Sequence, residues 1–213
     1  MTGRIAGVVL AGGRGSRMGV EPKVLLRLDG TSLVERALRR AARQVDLLLL
    51  SSNLSPAELG HPACPVLADS LPGFRGPLAG IATAMEFLLA SHTDVGWLCS
   101  FAADTPWFPR DLASRLAHAR DTADKAAIAV ATSGGRRHPV FALWPVTVLP
   151  LLKETLASGS DLGVGGFQSR FGLTCADWPV GDFDPFFNLN TRAEYEVAAG
   201  RCIGFGDSPE HIG

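Results

Sequence analysis

Lys23 closes a glycine-rich stretch that follows an apolar run, "GVVLAGGRGSRMGVEPK", residues 7–23. Gly12 and Gly13 leave bare backbone whose N–H groups can come close to a ligand. Arg17 and Lys23 bring positive charge to the same place, the arginine as a bidentate fork and the lysine as a point charge. Bare amides beside two cations suit a nucleotide polyphosphate. The spacing Gly13-x-Gly15-x-x-x-Gly19 is one residue too long for the dinucleotide fingerprint, and Lys23 stands between Pro22 and Val24, so the P-loop pattern fails too. Asp104, in "AADTP", ends another apolar run, where a carboxylate can share Mg²⁺ with substrate phosphates. The other reading of Asp104, and of Asp69, is a helix N-cap. Asn188 and Asn190, in "FFNLNT", fall on one side of an extended stretch. Either amide can contact a second substrate or a metal-bound water; Asn190 can instead cap the helix that starts at Thr191.

The elements that must position these residues follow from apolar patterning. Continuous apolar runs at 5–11, 45–53, 65–70 and 95–108 read as buried parallel strands. Between them, Ser32–Glu35 is a capping-box pattern ahead of Leu33, Ala37, Leu38, Ala41 and Val45 at helical spacing, and residues 76–90 form an apolar helix opened by Gly-Pro. Pro109 opens an amphipathic segment. Residues 126–145 read as two strands joined around Gly134 and Gly135, followed by a helix near 146–157. Residues 159–172 are glycine-rich and unpatterned, 173–180 read as a strand, and Thr191–Glu194 is a second capping-box pattern. Strands alternating with helices predict an α/β fold with a mostly parallel sheet. Ligands of such sheets bind outside the carboxyl ends of the strands. The residues expected there are Gly12 and Gly13, Ser51 to Asn53, Asp69 and Asp104.

One domain over residues 1–200 is expected, with a nucleotide-binding part at about 5–120, an acceptor-binding part at about 121–200 and a loose tail at 201–213. The net charge of −1 argues against a nucleic-acid footprint. Arg36, Arg39, Arg40 and Arg43 are expected to form a solvated helix face. The apolar runs are too short for a membrane span, and no signal-peptide pattern opens the chain. Cys64, Cys99, Cys175 and Cys202 include no C-x-x-C pair, so neither zinc nor a disulfide framework is expected; Cys99 reads as core. A reducing cytoplasm is the default compartment.

With these pieces together, the chain resembles the molybdenum cofactor guanylyltransferase family. The matching stretches are "GVVLAGGRGSRMG", Lys23, "ADS" at 68–70, "GPLAGI" at 76–81, "DTP" at 104–106, "RHP" at 137–139 and "FFNLNT". The resemblance implies a Rossmann-like nucleotidyltransferase fold that joins the GMP part of GTP to molybdopterin carrying molybdenum, with Mg²⁺. It places Leu10, Ala11 and Gly12 against the nucleotide, with Lys23 and Asp69 as further nucleotide contacts. It makes Asp104 the magnesium ligand, and Asn188 and Asn190 partners of the second substrate and of catalysis. Ser51 stands where the family commonly has asparagine, leaving Asn53 as the nearby amide. The segment 159–170, usually basic, here carries Asp161 and Arg170. Cofactor-delivery and molybdoenzyme-maturation proteins are the protein partners such a role implies. The expected reaction needs no protein nucleophile, in keeping with a sequence that offers no persuasive Ser/His or Cys/His arrangement. A CTP-using relative, a sugar-phosphate acceptor and a catalytically silent nucleotide-binding module are the alternatives.

Overall fold

The computed structural model describes residues 3–12, 22–69, 76–123, 127–159 and 163–202. Its elements in chain order are β1 (Arg4–Leu10), β2 (Arg27–Leu28), β3 (Thr31–Ser32), α1 (Leu33–Ala41), β4 (Leu47–Ser51), β5 (Val66–Leu67), α2 (Pro77–Ser91), β6 (Val95–Ala102), α3 (Leu112–Asp121), β7 (Ile128–Ser133), β8 (Arg136–Pro145), α4 (Leu149–Ala157), α5 (Val164–Gln168), β9 (Leu173–Trp178) and α6 (Arg192–Cys202). A single-turn 3-10 helix carries Lys23–Leu25.

Seven strands form one sheet in the order β5-β4-β1-β6-β8-β7-β9. All its strands run parallel except β8, which is antiparallel to both β6 and β7. Side chains alternate across the sheet. Ala6, Val8 and Leu10 of β1 pack under α2, α4 and α5 through Ile81, Met85, Leu152 and Phe167. Val9 and Ala11 face the other layer, formed by α1 and α3 through Val34, Ala37, Leu112 and Leu116. Cys99 lies in that second core, and burial pushes its thiol well above the ordinary range. A small third cluster, Leu28, Leu33, Leu189 and Ala198, ties the chain after Phe187 to the β2–β3 hairpin and α1.

Several boundaries differ from the sequence reading. The strand expected over 95–108 stops at Ala102, because Pro106 and Pro109 cannot donate to a ladder. The strands expected at 45–53 and 65–70 shorten to Leu47–Ser51 and Val66–Leu67. The segment 159–172 contains α5. The β2–β3 hairpin went unread although Asp29-Gly30 is a turn signal; both residues have positive φ, 51° and 74°. The arginine stripe is only half solvated. Arg39 is exposed and pairs with Glu35, and Arg43 is exposed. Arg36, however, donates to the Leu28 carbonyl (2.7 Å), and Arg40 reaches the carbonyls of Trp107 and Phe108.

Candidate active site

The register of the parallel strands builds the site. Leu10 lies beside Ser51 and Ala102, and Ser51 beside Leu67, so four strands end level with one another. The ladder runs one residue further: Ala11 N–H donates to Ser51 O (2.9 Å), Ala103 N–H to Leu10 O (3.1 Å) and Ser52 N–H to Leu67 O (3.0 Å). Gly12, Asn53, Asp69 and Asp104 therefore each stand two residues past a strand end along one edge. Asn53 and Asp69 clasp each other: the amide donates to Asp69 Oδ2 (3.0 Å), and Asp69 N–H donates to Asn53 Oδ1 (3.0 Å). A methyl placed on Gly12 would meet no described atom within 4 Å. Ser51 is different, at 3% exposure. It lies under α2, where a Cβ on Gly80 would come within 2.4 Å of its Oγ and 2.9 Å of Leu10 Cδ2. The exposed amide at this strand end is Asn53.

At the next strand end, Lys23 and Asp104 meet. Lys23 Nζ donates to Asp104 Oδ2 (2.7 Å), Asn190 Oδ1 (3.0 Å) and Asn188 Oδ1 (3.4 Å). Three side-chain oxygens thus converge on one ammonium, matching its three donors. The Lys23 and Asp104 side chains are 14% and 26% exposed, so the pair is partly withdrawn from water. Asp104 is not the cap of α3, whose N-cap is Asp111. Nor does Asn190 cap α6. Glu194 N–H donates to Thr191 Oγ1 (3.2 Å), while Glu194 Oε2 accepts from Asn190 N–H (2.7 Å), Thr191 N–H (2.7 Å) and the Thr191 hydroxyl (2.9 Å). Burial acts to raise the Glu194 pKa, but these hydrogen bonds and the nearby Lys23 charge hold it below the usual carboxylate value. With the cap supplied by Thr191, the Asn190 side chain is left to Lys23. A backbone bond from Leu189 N–H to Asp104 O (2.9 Å) sets the two asparagines on either side of the aspartate.

The donor set fits a hard divalent ion: one carboxylate and two amide oxygens already face a cation. Among the described residues no group of three or more His, Cys, Asp or Glu side chains could hold a metal. A single carboxylate suits an ion that shares its coordination with substrate phosphates.

The model of the MobA-like NTP transferase domain family matches residues 7–166. A molybdenum cofactor guanylyltransferase of Rhodopseudomonas palustris (strain BisB5) is 42% identical over 201 residues, covering 94% of each chain. The chain belongs to the molybdenum cofactor guanylyltransferase family. Among solved structures, molybdopterin-guanine dinucleotide biosynthesis protein A from Archaeoglobus fulgidus superposes with a TM-score of 0.73 at 20% identity, covering 94% of this chain and all of that one. Rv0371c of Mycobacterium tuberculosis, solved in complex with manganese, has a TM-score of 0.67 at 18% identity, covering 94% of this chain and all of that one. The Rossmann-like nucleotidyltransferase fold is thus the family's own. No described helix is long and apolar enough to cross a membrane.

Set against the guanylyltransferase expectations, Lys23, Asp104, Asn188 and Asn190 come together. Leu10, Ala11, Gly12, Asn53 and Asp69 line the neighbouring strand ends, with Leu10 and Ala11 themselves buried. Gly13, Arg14, Arg17 and Asp161 lie outside the described residues. Arg170, the basic residue of the 159–170 segment, turns back to α4, where its Nη1 donates to Thr155 Oγ1 (2.8 Å).

A Ser/His contact does exist, but not one that makes a nucleophile. Ser133 Oγ lies 2.7 Å from His138 Nε2 and donates to Asp184 Oδ1 (2.8 Å). With the hydroxyl proton given to Asp184, the histidine must be the donor to Ser133. The order is Asp–Ser–His, so the histidine cannot take the serine proton and no activated nucleophile results. Burial lowers the His138 pKa against the opposing charge of Asp184, and Arg136 lowers it further. The "RHP" stretch was a signal for His138; nothing marked Ser133 or Asp184.

Proposed function

We propose that this chain transfers GMP from GTP to the terminal phosphate of molybdopterin carrying molybdenum, with Lys23, Asp104, Asn188 and Asn190 at the reacting centre. The observation that carries the reading is the convergence of three side-chain oxygens on Lys23 at the carboxyl edge of a nucleotidyltransferase sheet. In the reaction an acceptor phosphate oxygen forms a bond to the α-phosphorus of GTP, the bond from that phosphorus to the bridging oxygen of the β-phosphate breaks, and pyrophosphate leaves. The attacking oxygen is already an anion, so catalysis is positioning and charge neutralisation.

Lys23 exchanges its protein acceptors for phosphate oxygens when the nucleotide enters, offsetting charge on the leaving group, a task the sequence reading also gives to Arg17. Asn53 and Asp69, held by their mutual clasp, present polar groups to the guanosine end. Asn188 and Asn190, released from Lys23, present their amide N–H groups to the acceptor. Asp104, with the two amide oxygens beside it, would hold Mg²⁺ or another divalent ion, which when bound supplies positive charge shared among the phosphate oxygens. The test is to incubate the protein with Mg²⁺, molybdenum-bearing molybdopterin and each nucleoside triphosphate in turn, then weigh the product. The guanine dinucleotide should form from GTP, with one pyrophosphate per product. A cytosine dinucleotide formed faster from CTP, or no product from any triphosphate, would reject the reading.

A further inference from the structure

We propose that Ser133, His138 and Asp184 are positioning residues that fix Asn188 and Asn190 over Lys23. The proposal rests on the functional reading above and extends it to Ser133 and Asp184, which no matched motif contains, and to His138 of the "RHP" stretch.

Residues 184–190 are tied down at both ends. At the far end, Leu189 N–H bonds to Asp104 O, and Glu194 receives the N–H groups of Asn190 and Thr191. At the near end the anchor is Asp184. Its Oδ1 accepts from Phe186 N–H (2.9 Å), and its carbonyl accepts from Phe187 N–H (3.0 Å), which folds the chain into a tight turn. The same Oδ1 takes the hydroxyl proton of Ser133, the last residue of β7 and 1% exposed. His138, across the hairpin on β8, completes the chain of bonds. Its ring also stacks on Phe186, with centroids 4.4 Å apart and an interplanar angle of 19°. Phe186 is itself buried, against Phe141 and Trp178.

The hairpin is a suitable anchor because β8 pairs with β6. That pairing ends with Ser100 beside Ala142, and the earlier residues of β8, back to the turn at Gly134 and Gly135, lie toward the edge at which β6 ends. The β7–β8 hairpin therefore extends from the central sheet toward the edge that carries Asp104, and through Ser133 and His138 it grips the loop just before its two asparagines. Because Asp184 turns one oxygen to both Ser133 and Phe186 N–H, losing the hydroxyl weakens the turn and leaves His138 Nε2–H without its partner. Asn188 and Asn190, four and six residues on, then lose their fixed distance from Lys23.

Ser133→Ala, Asp184→Ala and Asp184→Asn test this. GMP transfer is followed by varying GTP and acceptor separately, GTP binding is titrated directly, and the methylation rate of Lys23 is read by mass spectrometry with Lys153 as internal reference. Ser133→Ala and Asp184→Ala should each lower kcat about ten- to a hundredfold, a loss of roughly 1.4–2.7 kcal/mol. They should raise the acceptor KM, leave the GTP dissociation constant within about twofold and speed Lys23 methylation as its amide acceptors withdraw. Asp184→Asn keeps an oxygen for both donors and should recover most of the loss. Wild-type kcat and wild-type Lys23 reactivity in both alanine variants would overturn the proposal, as would equal damage to GTP binding and turnover. If Ser133→Ala fails to fold, the Asp184→Asn and Asp184→Ala pair decides. If the wild-type protein forms no dinucleotide, the functional reading fails, and the Lys23 labelling still tests the anchor by itself.

Discussion

Replacing Lys23 with methionine should strengthen metal binding and weaken turnover together. Lys23 Nζ sits 2.7 Å from Asp104 Oδ2, and both side chains are mostly withdrawn from water. A second cation on that carboxylate must displace the ammonium first. A hydrogen bond to a charged group contributes about 1.5–3 kcal/mol, and partial exposure argues for the lower half of that range. At about 1.36 kcal/mol per decade, Lys23→Met should bind Mn²⁺ roughly ten- to fortyfold more tightly in the absence of nucleotide. Methionine keeps much of the length and apolar stem, so the fold is little disturbed. The same change removes a phosphate contact, so kcat/KM for GTP should fall at least about tenfold. Free Mn²⁺ followed by electron paramagnetic resonance gives the first quantity, and pyrophosphate release gives the second. The double variant Lys23→Met with Asp104→Asn should lose the gain in Mn²⁺ affinity. Unchanged Mn²⁺ binding in Lys23→Met would show that the ammonium and the metal do not compete, and Asp104 would no longer be the metal residue.

Asp104→Asn alone should lower kcat more than GTP affinity, since the amide keeps one acceptor oxygen for Lys23 but loses the charge; normal turnover at ordinary Mg²⁺ would remove Asp104 from the reaction. Gly80→Ala should lower the melting temperature, because overpacking costs about 1–3 kcal/mol against about 1 kcal/mol gained in helix propensity; a raised melting point would mean that α2 lifts off Leu10 and Ser51 without penalty. His138 gives a pH dependence. Burial lowers its pKa in the folded protein, partly opposed by Asp184, so the unfolded chain takes up the proton first as pH falls. The stability tied to the neutral ring is complete above the unfolded value of about 6.5 and declines as pH drops through the folded pKa. Urea unfolding at neutral and mildly acidic pH should show a smaller loss for His138→Gln than for the wild-type protein; parallel losses would discount the histidine.

The strand ends were legible because each is a short apolar run broken by a polar residue, a signal carried within ten neighbouring positions. Asp104 and Lys23 could be named from such runs, but whether Asp104 caps a helix could not be decided locally. It turned on where α3 begins, and the prolines at 106 and 109 delay that start to Leu112. Likewise Asn190 and Thr191 compete for one cap, and Glu194 decides for Thr191 by bonding back to it. Helical periodicity showed that Arg36 and Arg40 share a face with Arg39 and Arg43. It could not show that the 107–108 loop and the β2–β3 hairpin present carbonyls to two of the four.

The site's central contacts bridge very different sequence distances. Lys23 lies 81 residues from Asp104 and 165 and 167 from the two asparagines. No pattern within the chain encodes those distances; the sheet order does. β1 sits beside β6, which sets Gly12 and Asp104 two residues past neighbouring strand ends. β8 joins the other side of β6 in the opposite direction, so its start, not its end, arrives at the active edge. That reversal brings the Ser133–His138 pair to Asp184. A parallel strand in the place of β8 would leave Ser133 and Phe186 without His138. On the proposed reading the antiparallel strand has a functional consequence: it lets a hairpin from the second half of the chain hold the residues assigned to the acceptor, while those assigned to the nucleotide hang from parallel strands of the first half.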